Sequence, residues 1–171
     1  MSKNNDVVIV SAARTAIGTF GGTLREVRAY KLAAHVMREV LKRANNLDPN
    51  VVSDVIVGDC LQNVDEANTA RVAALAAGIP HQVTAFTVQR NCASSMQALI
   101  SGTQQILCQD SDVVLVAGVE SMSSAPYYLD KARWGMRLRN HEVIDSVWEA
   151  LPSGSRLLGE SMIMGITAEN L

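Results

Sequence analysis

The chain has 171 residues, of which 48% are hydrophobic and 19% charged, and its formal net charge is −2. This composition excludes a disordered chain and suits a domain that buries roughly 70% of the surface its unfolded form exposes. With aromatics at only 4% and no basic stripe interleaved with them, neither nucleic acid nor an anionic membrane is expected as a partner.

Met1-Ser2-Lys3-Asn4-Asn5-Asp6 passes straight into a predicted strand, Asp6–Ser11, with no long apolar signal region. No apolar run approaches the ~20 residues a membrane-spanning helix needs, so a cytoplasmic protein is expected. Gly18, Gly21 and Gly22 have neither the Lys-Ser/Thr of a phosphate loop nor a dinucleotide spacing, and predict a turn. From Tyr30 to Ala44 a helix is predicted, because Leu32, Val36 and Val40 join Ala33, Met37 and Leu41 in one apolar stripe while Lys31, Arg38, Glu39, Lys42 and Arg43 face water. A strand over Asp54–Gly58 leads to Asp59 and Cys60, a helix over Asn68–Ala77 follows, and Thr84–Val88 is the next strand.

The run Val88-Gln89-Arg90-Asn91-Cys92-Ala93-Ser94-Ser95-Met96-Gln97-Ala98-Leu99 puts a cysteine where that strand turns abruptly into a helix predicted over Ala93–Cys108. A helix N-terminus favours negative charge, hence the reactive thiolate, and its free N–H groups are suited to hold an oxyanion. Cys92 is therefore the candidate nucleophile. The helix carries no charge and many small residues, among them Ser94, Ser95, Ala98, Ser101 and Gly102, which predicts a helix buried between layers. The strand Asp112–Val119 is apolar without alternation, as in a sheet covered on both faces. Strands and helices thus alternate, giving an α/β domain with a parallel or mixed sheet.

After Tyr128 the texture changes. Lys131, Arg133, Arg137, Arg139 and His141 enter with Trp134 and Trp148, and Pro152-Ser153-Gly154-Ser155 breaks regular structure, so a boundary is placed near Ala125, dividing residues 1–124 from 125–171. The chain then ends in what reads as the opening of a helix, Thr167-Ala168-Glu169-Asn170-Leu171. Cys60, Cys92 and Cys108 are odd in number and widely spaced, which argues against a disulfide framework. With His35, His81 and His141 equally scattered, no metal site is expected. Cys60 and Cys108 lack an activating context and read as structural, and Asp59 and Glu120 as residues that make hydrogen bonds at strand ends.

The Cys92 run resembles the nucleophile motif of the thiolase family, with Ala93, Ser94, Ser95 and Met96 all fitting. Val10-Ser11-Ala12-Ala13-Arg14-Thr15-Ala16-Ile17-Gly18 is similar to the family's first strand and loop, and Ala117-Gly118-Val119-Glu120-Ser121-Met122-Ser123-Ser124-Ala125-Pro126-Tyr127 to its strand after the nucleophile helix. Met164-Gly165-Ile166-Thr167-Ala168-Glu169-Asn170 resembles the start of the family's coenzyme A-binding segment. Two positions depart from the pattern: Gln89, where Asn, Ser or Thr is usual, and Ile163, where several members have His.

The resemblance implies a layered αβα fold, here an N-terminal half with a mixed sheet and a buried nucleophile helix, followed by the beginning of a loop domain from residue 125. It implies an acyltransferase, acetyl-CoA acetyltransferase or 3-ketoacyl-CoA thiolase, in fatty acid metabolism. Cys92 would be its catalytic residue and Met164 a substrate-binding residue. Coenzyme A thioesters would be substrates, no cofactor would be tightly bound, and the assembly would be a homodimer or homotetramer. The basic stretch Lys131–Arg139 would meet coenzyme A phosphates or, as the preferred reading, form a solvated, subunit-facing surface. A Gly-His-Pro motif, a second cysteine before glycines and an Asn-Glu-Ala-Phe segment, all expected of a whole thiolase, do not occur in the sequence. The chain is accordingly expected to be an N-terminal portion that does not turn over alone. A catalytically silent assembly partner is the alternative, and condensing enzymes that act on acyl carrier protein share the architecture.

Overall fold

The computed structural model describes residues 6–171; residues 1–5, part of the stretch read as lacking a signal region, lie outside the described residues. The chain divides into two compact units, Met1–Ser124 and Ala125–Leu171.

The first unit runs α1 (Ala29–Arg43), β1 (Asp54–Gly58), α2 (Thr69–Ala77), β2 (Thr84–Val88), α3 (Ser94–Leu107) and β3 (Val114–Gly118). Its strands form a parallel sheet in the order β2-β1-β3, with Gly58 of β1 opposite Val88 of β2 and Gly118 of β3. β1 is central and buried along its whole length. Side chains alternate across a strand, and the two faces of β1 meet different helices. Val55 and Val57 pack with Met37 and Leu41 of α1 and Ala70, Ala73 and Ala74 of α2. The opposite face carries Asp54, Ile56 and Gly58 beneath α3, where Gln105 Nε2 donates to Asp54 Oδ2 at 2.9 Å. Helices on both faces of a parallel sheet make three layers, αβα. Burying Val55, Ile56 and Val57 completely, at about 1.5–3 kcal/mol per side chain, anchors both helical layers to one strand.

The helix boundaries follow local chemistry. No side chain of its own segment caps α1; instead Glu66 Oε2 accepts the Tyr30 N–H at 3.0 Å. In α2 the Asn68 side chain accepts from the Arg71 N–H, and Gly78 ends the helix in the left-handed region at φ 88°.

Three expectations change. Asp6–Ser11 forms no strand, and Val8, Ile9 and Val10 are 71%, 77% and 75% exposed. A strand needs a neighbour for its N–H and C=O groups, and among the described residues this segment pairs with neither edge of the sheet. Among the described residues the sheet of the first unit is parallel throughout, without the antiparallel strand that the expected mixed sheet requires. The predicted burial of the nucleophile helix is also corrected. Only one face of α3 is buried, through Ser94, Ala98 and Gly102, whereas Met96, Leu99, Ile100 and Leu107 are exposed. Its small residues do admit a close approach to the strands, but among the described residues no second layer covers its outer face.

In the second unit β4 (Tyr127–Tyr128) pairs antiparallel with β5 (Ile144–Asp145), followed by α4 (Ser146–Ala150), α5 (Ser153–Arg156) and α6 (Met164–Glu169). Asp145 caps α4 by accepting from the Val147 and Trp148 N–H groups. The closing helix begins at Met164, three positions earlier than Thr167, where the sequence places its opening. No helix among the described residues is long and apolar enough to cross a membrane.

Candidate active site

In a parallel sheet with helical crossovers, the carboxyl ends of the strands are where loops converge and ligands bind. Here those ends bring together Asp59 and Cys60 after β1, the elbow Gln89–Ala93 after β2, and Glu120 after β3. Two glycines permit the convergence. A Cβ on Gly58 would lie 2.3 Å from the Ser94 carbonyl carbon, and one on Gly118 would lie 1.8 Å from Ser95 Oγ. The first turn of α3 therefore rests directly on the backbone of β1 and β3.

Cys92 stands in the elbow, two residues before the first residue of α3, and is exposed. Asn91, just before it, has φ 48°, a left-handed conformation that asparagine tolerates better than most residues and that sharpens the turn. No side chain caps α3, and its first turn holds no acidic residue. Gln89 reaches toward the Asn91 side chain, its Nε2 3.4 Å from Oδ1.

Behind Cys92 the elbow is held by hydrogen bonds. Ser94 Oγ accepts the Arg90 N–H at 2.8 Å and donates to the Asn91 carbonyl at 2.6 Å. The Cys60 thiol donates to the same carbonyl at 2.9 Å and lies 3.2 Å from Ser94 Oγ. Cys60 is itself fixed, because the Glu120 carboxylate accepts the N–H groups of Cys60 at 3.0 Å and Leu61 at 3.3 Å. Beneath them, fully buried Asp59 accepts the Thr69 hydroxyl proton through Oδ2, while its Oδ1 has no partner.

Burial pushes the Cys60 thiol up from its ordinary range, and the nearby Glu120 carboxylate adds to this, which keeps Cys60 a protonated donor. Burial likewise raises Asp59, against the lowering effect of Thr69. Glu120 is raised by burial of its carboxyl group and by the charge of Asp59, although part of the residue reaches solvent. Two carboxyl groups, both raised, thus stand at adjacent strand ends.

The other candidates are distributed as follows. Cys108 is the exposed C-cap residue of α3. Met164 opens α6 in the second unit and is 66% exposed. Gly21 and Gly22 lie at a turn, where the Gly22 N–H donates to the Thr19 carbonyl at 2.9 Å, while Gly18 precedes it. A groove of about 380 Å³ runs beside it, bounded by Ile17, Phe20, Leu32, Val36, Glu120 and Met122. Among the described residues no group of three or more His, Cys, Asp or Glu is arranged to hold a metal ion. Sequence reasoning missed Gly58, Gly118 and the clasp by Cys60. The available signal was a glycine at the end of one predicted strand, Asp54–Gly58, and next to the end of another, Asp112–Val119, each leading into a polar loop.

Comparison with known proteins gives a consistent pattern. A family model described as thiolase, N-terminal domain, matches residues 7–171. An acetyl-CoA acetyltransferase of Syntrophomonas wolfei is 41% identical over 169 residues, covering 97% of this chain and 41% of that protein. A probable acetyl-CoA acyltransferase of Staphylococcus epidermidis is 38% identical over 165 residues, covering 96% and 41%. The crystal structure of the Bacillus anthracis acetyl-CoA acetyltransferase superposes with a TM-score of 0.86 at 50% identity, over 95% of this chain and 40% of that one. The chain thus spans about two-fifths of the length of the curated relatives it matches.

Proposed function

Because the chain belongs to the thiolase family, of which it carries the N-terminal domain, we propose that it is the nucleophile-bearing part of an acyltransferase acting on coenzyme A thioesters, with Cys92 as the catalytic residue. The observation that carries this reading is the elbow itself, an exposed thiol between β2 and α3 at the carboxyl end of a parallel sheet.

In the reaction, the Cys92 thiolate attacks the carbonyl carbon of an acyl-CoA. A new C–S bond forms, the bond to the coenzyme A sulfur breaks, and coenzyme A leaves as a thiolate that takes up a proton. The acyl group then passes to a second nucleophile. With a 3-ketoacyl-CoA, attack at the keto carbon breaks the adjacent C–C bond; the leaving carbon is protonated as acetyl-CoA, and free coenzyme A takes the acyl group. Dividing the transfer into two steps replaces one difficult step with two easier ones. The Cys92 N–H supplies one donor to the oxyanion. Met164 contributes apolar surface to the acyl group, and residues 125–171 form the beginning of a loop domain. The same reading takes the protein as a homo-oligomer in fatty acid metabolism and, with three free cysteines, as cytoplasmic.

The test is to mix the gene product that carries this chain with acetyl-CoA, quench in acid and locate the acetyl group by peptide mass analysis. Acetylation on Cys92 is expected. Modification confined to Cys60 or Cys108, or none at all, overturns the reading.

A further inference from the structure

Cys60 is the least explained side chain near the elbow. It is 32 residues upstream of Cys92 in sequence, yet its thiol donates to the carbonyl of Asn91, the residue that directly precedes Cys92. Three donors converge on that carbonyl: the Cys60 thiol at 2.9 Å, Ser94 Oγ at 2.6 Å and the Ser94 N–H at 3.0 Å. Asn91 adopts φ 48°, a conformation that costs energy for a residue with a Cβ and persists where surrounding contacts determine it. Cys60 in turn cannot drift, because both oxygens of Glu120 hold the backbone N–H groups at Cys60 and Leu61. Glu120 follows β3, which is itself locked to β1 in register at Gly58 and Gly118.

Resting on the reading of Cys92 as nucleophile, we propose that Cys60 is a positioning residue: its S–H, fixed by Glu120, clamps the Asn91 carbonyl and so holds the elbow that aims Cys92. Cys60 does not touch the substrate in this role. It acts as a donor, which requires that it keep its proton, and its burial beside the Glu120 carboxylate favours the protonated thiol. A hydroxyl at this position retains the donor, and a methyl group removes it.

The experiment compares the gene product carrying this chain with its Cys60→Ala and Cys60→Ser variants, using hydrogen exchange of the peptide covering residues 89–97, Cys92 acetylation by acetyl-CoA and the thermal midpoint. In Cys60→Ala the elbow amides should exchange about tenfold faster or more, and acetylation should slow by about tenfold to a hundredfold, as a misplaced reacting group does. Cys60→Ser should restore both. Unchanged elbow exchange in a folded Cys60→Ala protein, or a folded Cys60→Ser protein that behaves like Cys60→Ala, overturns the proposal. If Cys60→Ala does not fold, Glu120→Gln, which weakens the hold on Cys60, serves instead: faster elbow exchange supports the clamp, and unchanged exchange overturns it. Exchange that responds as expected in a protein that is never acetylated retains the clamp and rejects the acyltransferase reading.

Discussion

Gly118 has no room for a methyl group, because the nearest atoms of Ser95 would lie 1.8 and 2.4 Å from its Cβ. Gly118→Ala should therefore lower the urea midpoint by an amount equivalent to about 1–3 kcal/mol or more. Gly58→Ala, which meets backbone atoms at 2.3–2.5 Å instead of a movable side chain, should cost at least as much. At Cys92 the expectation is chemical: Cys92→Ala should abolish formation of the acetyl-enzyme without shifting the thermal midpoint, since the side chain is exposed. Cys92→Ser should lose most activity, because a hydroxyl is far less ionised near neutral pH. Glu66 offers a pH test. It is fully buried, its Oε1 has no partner, and burial raises its carboxyl above the ordinary glutamate range. The folded protein therefore keeps a proton that the unfolded chain releases, so stability falls as pH rises from the ordinary glutamate range through the raised folded value. Urea midpoints measured across that window should show this decline, and Glu66→Gln should flatten it. Of these residues only Cys92 stands out in the sequence. The importance of Gly58, Gly118 and Glu66 depends on which segments meet across the sheet, which no local pattern of residue types reveals.

The elements themselves were more legible. The predicted bounds of β1 and β2 match the structure, and α2 differs only in that Asn68 is its cap. Each is short and flanked by a strong signal, such as Gly78 after α2. Asn68 also ties the helix to the sheet, since its Nδ2 donates to the Ala85 carbonyl at 3.0 Å and its Oδ1 accepts from Thr87 Oγ1 at 2.9 Å. Asn68→Ala should thus cost about 1–2 kcal/mol, toward the upper end of the range for a helix cap, measurable by denaturant titration. Asp6–Ser11 shows the limit of such reading. A continuous run of β-branched residues, Val7–Val10, predicts a strand, yet strand formation depends on a partner, and the segment has none among the described residues.

On the scale of the whole chain, the apolar outer face of α3 is the largest departure from expectation. Met96 and Leu107 are 59% and 53% exposed, with Leu99 and Ile100 beside them. Small side chains in a helix predict close packing on one side; they do not say how many sides are covered. Exposed apolar faces of this kind drive association. The chain is expected to self-associate, and replacing Leu99 and Ile100 with Gln should shift sedimentation toward the monomer while leaving the sheet intact. A compact monomer over a wide concentration range for the unaltered chain would count against this.

The register that places Gly58 opposite Gly118 also dictates a sequence of events in time. Parallel pairing between segments 60 residues apart is a slow, non-local step, and synthesis delivers Cys92 well before Glu120. A growing chain that has emerged only as far as α3 lacks β3 and the carboxylate that holds the turn at Cys60. The elbow around Cys92 is then unassembled, and the thiol reaches its working geometry only once β3 has docked. Nascent chains halted before and after residue 120 should therefore differ in the protease sensitivity of residues 89–95, the shorter being cut faster. If Cys92 is the nucleophile proposed above, it is armed late, by a strand that contributes no reacting atom.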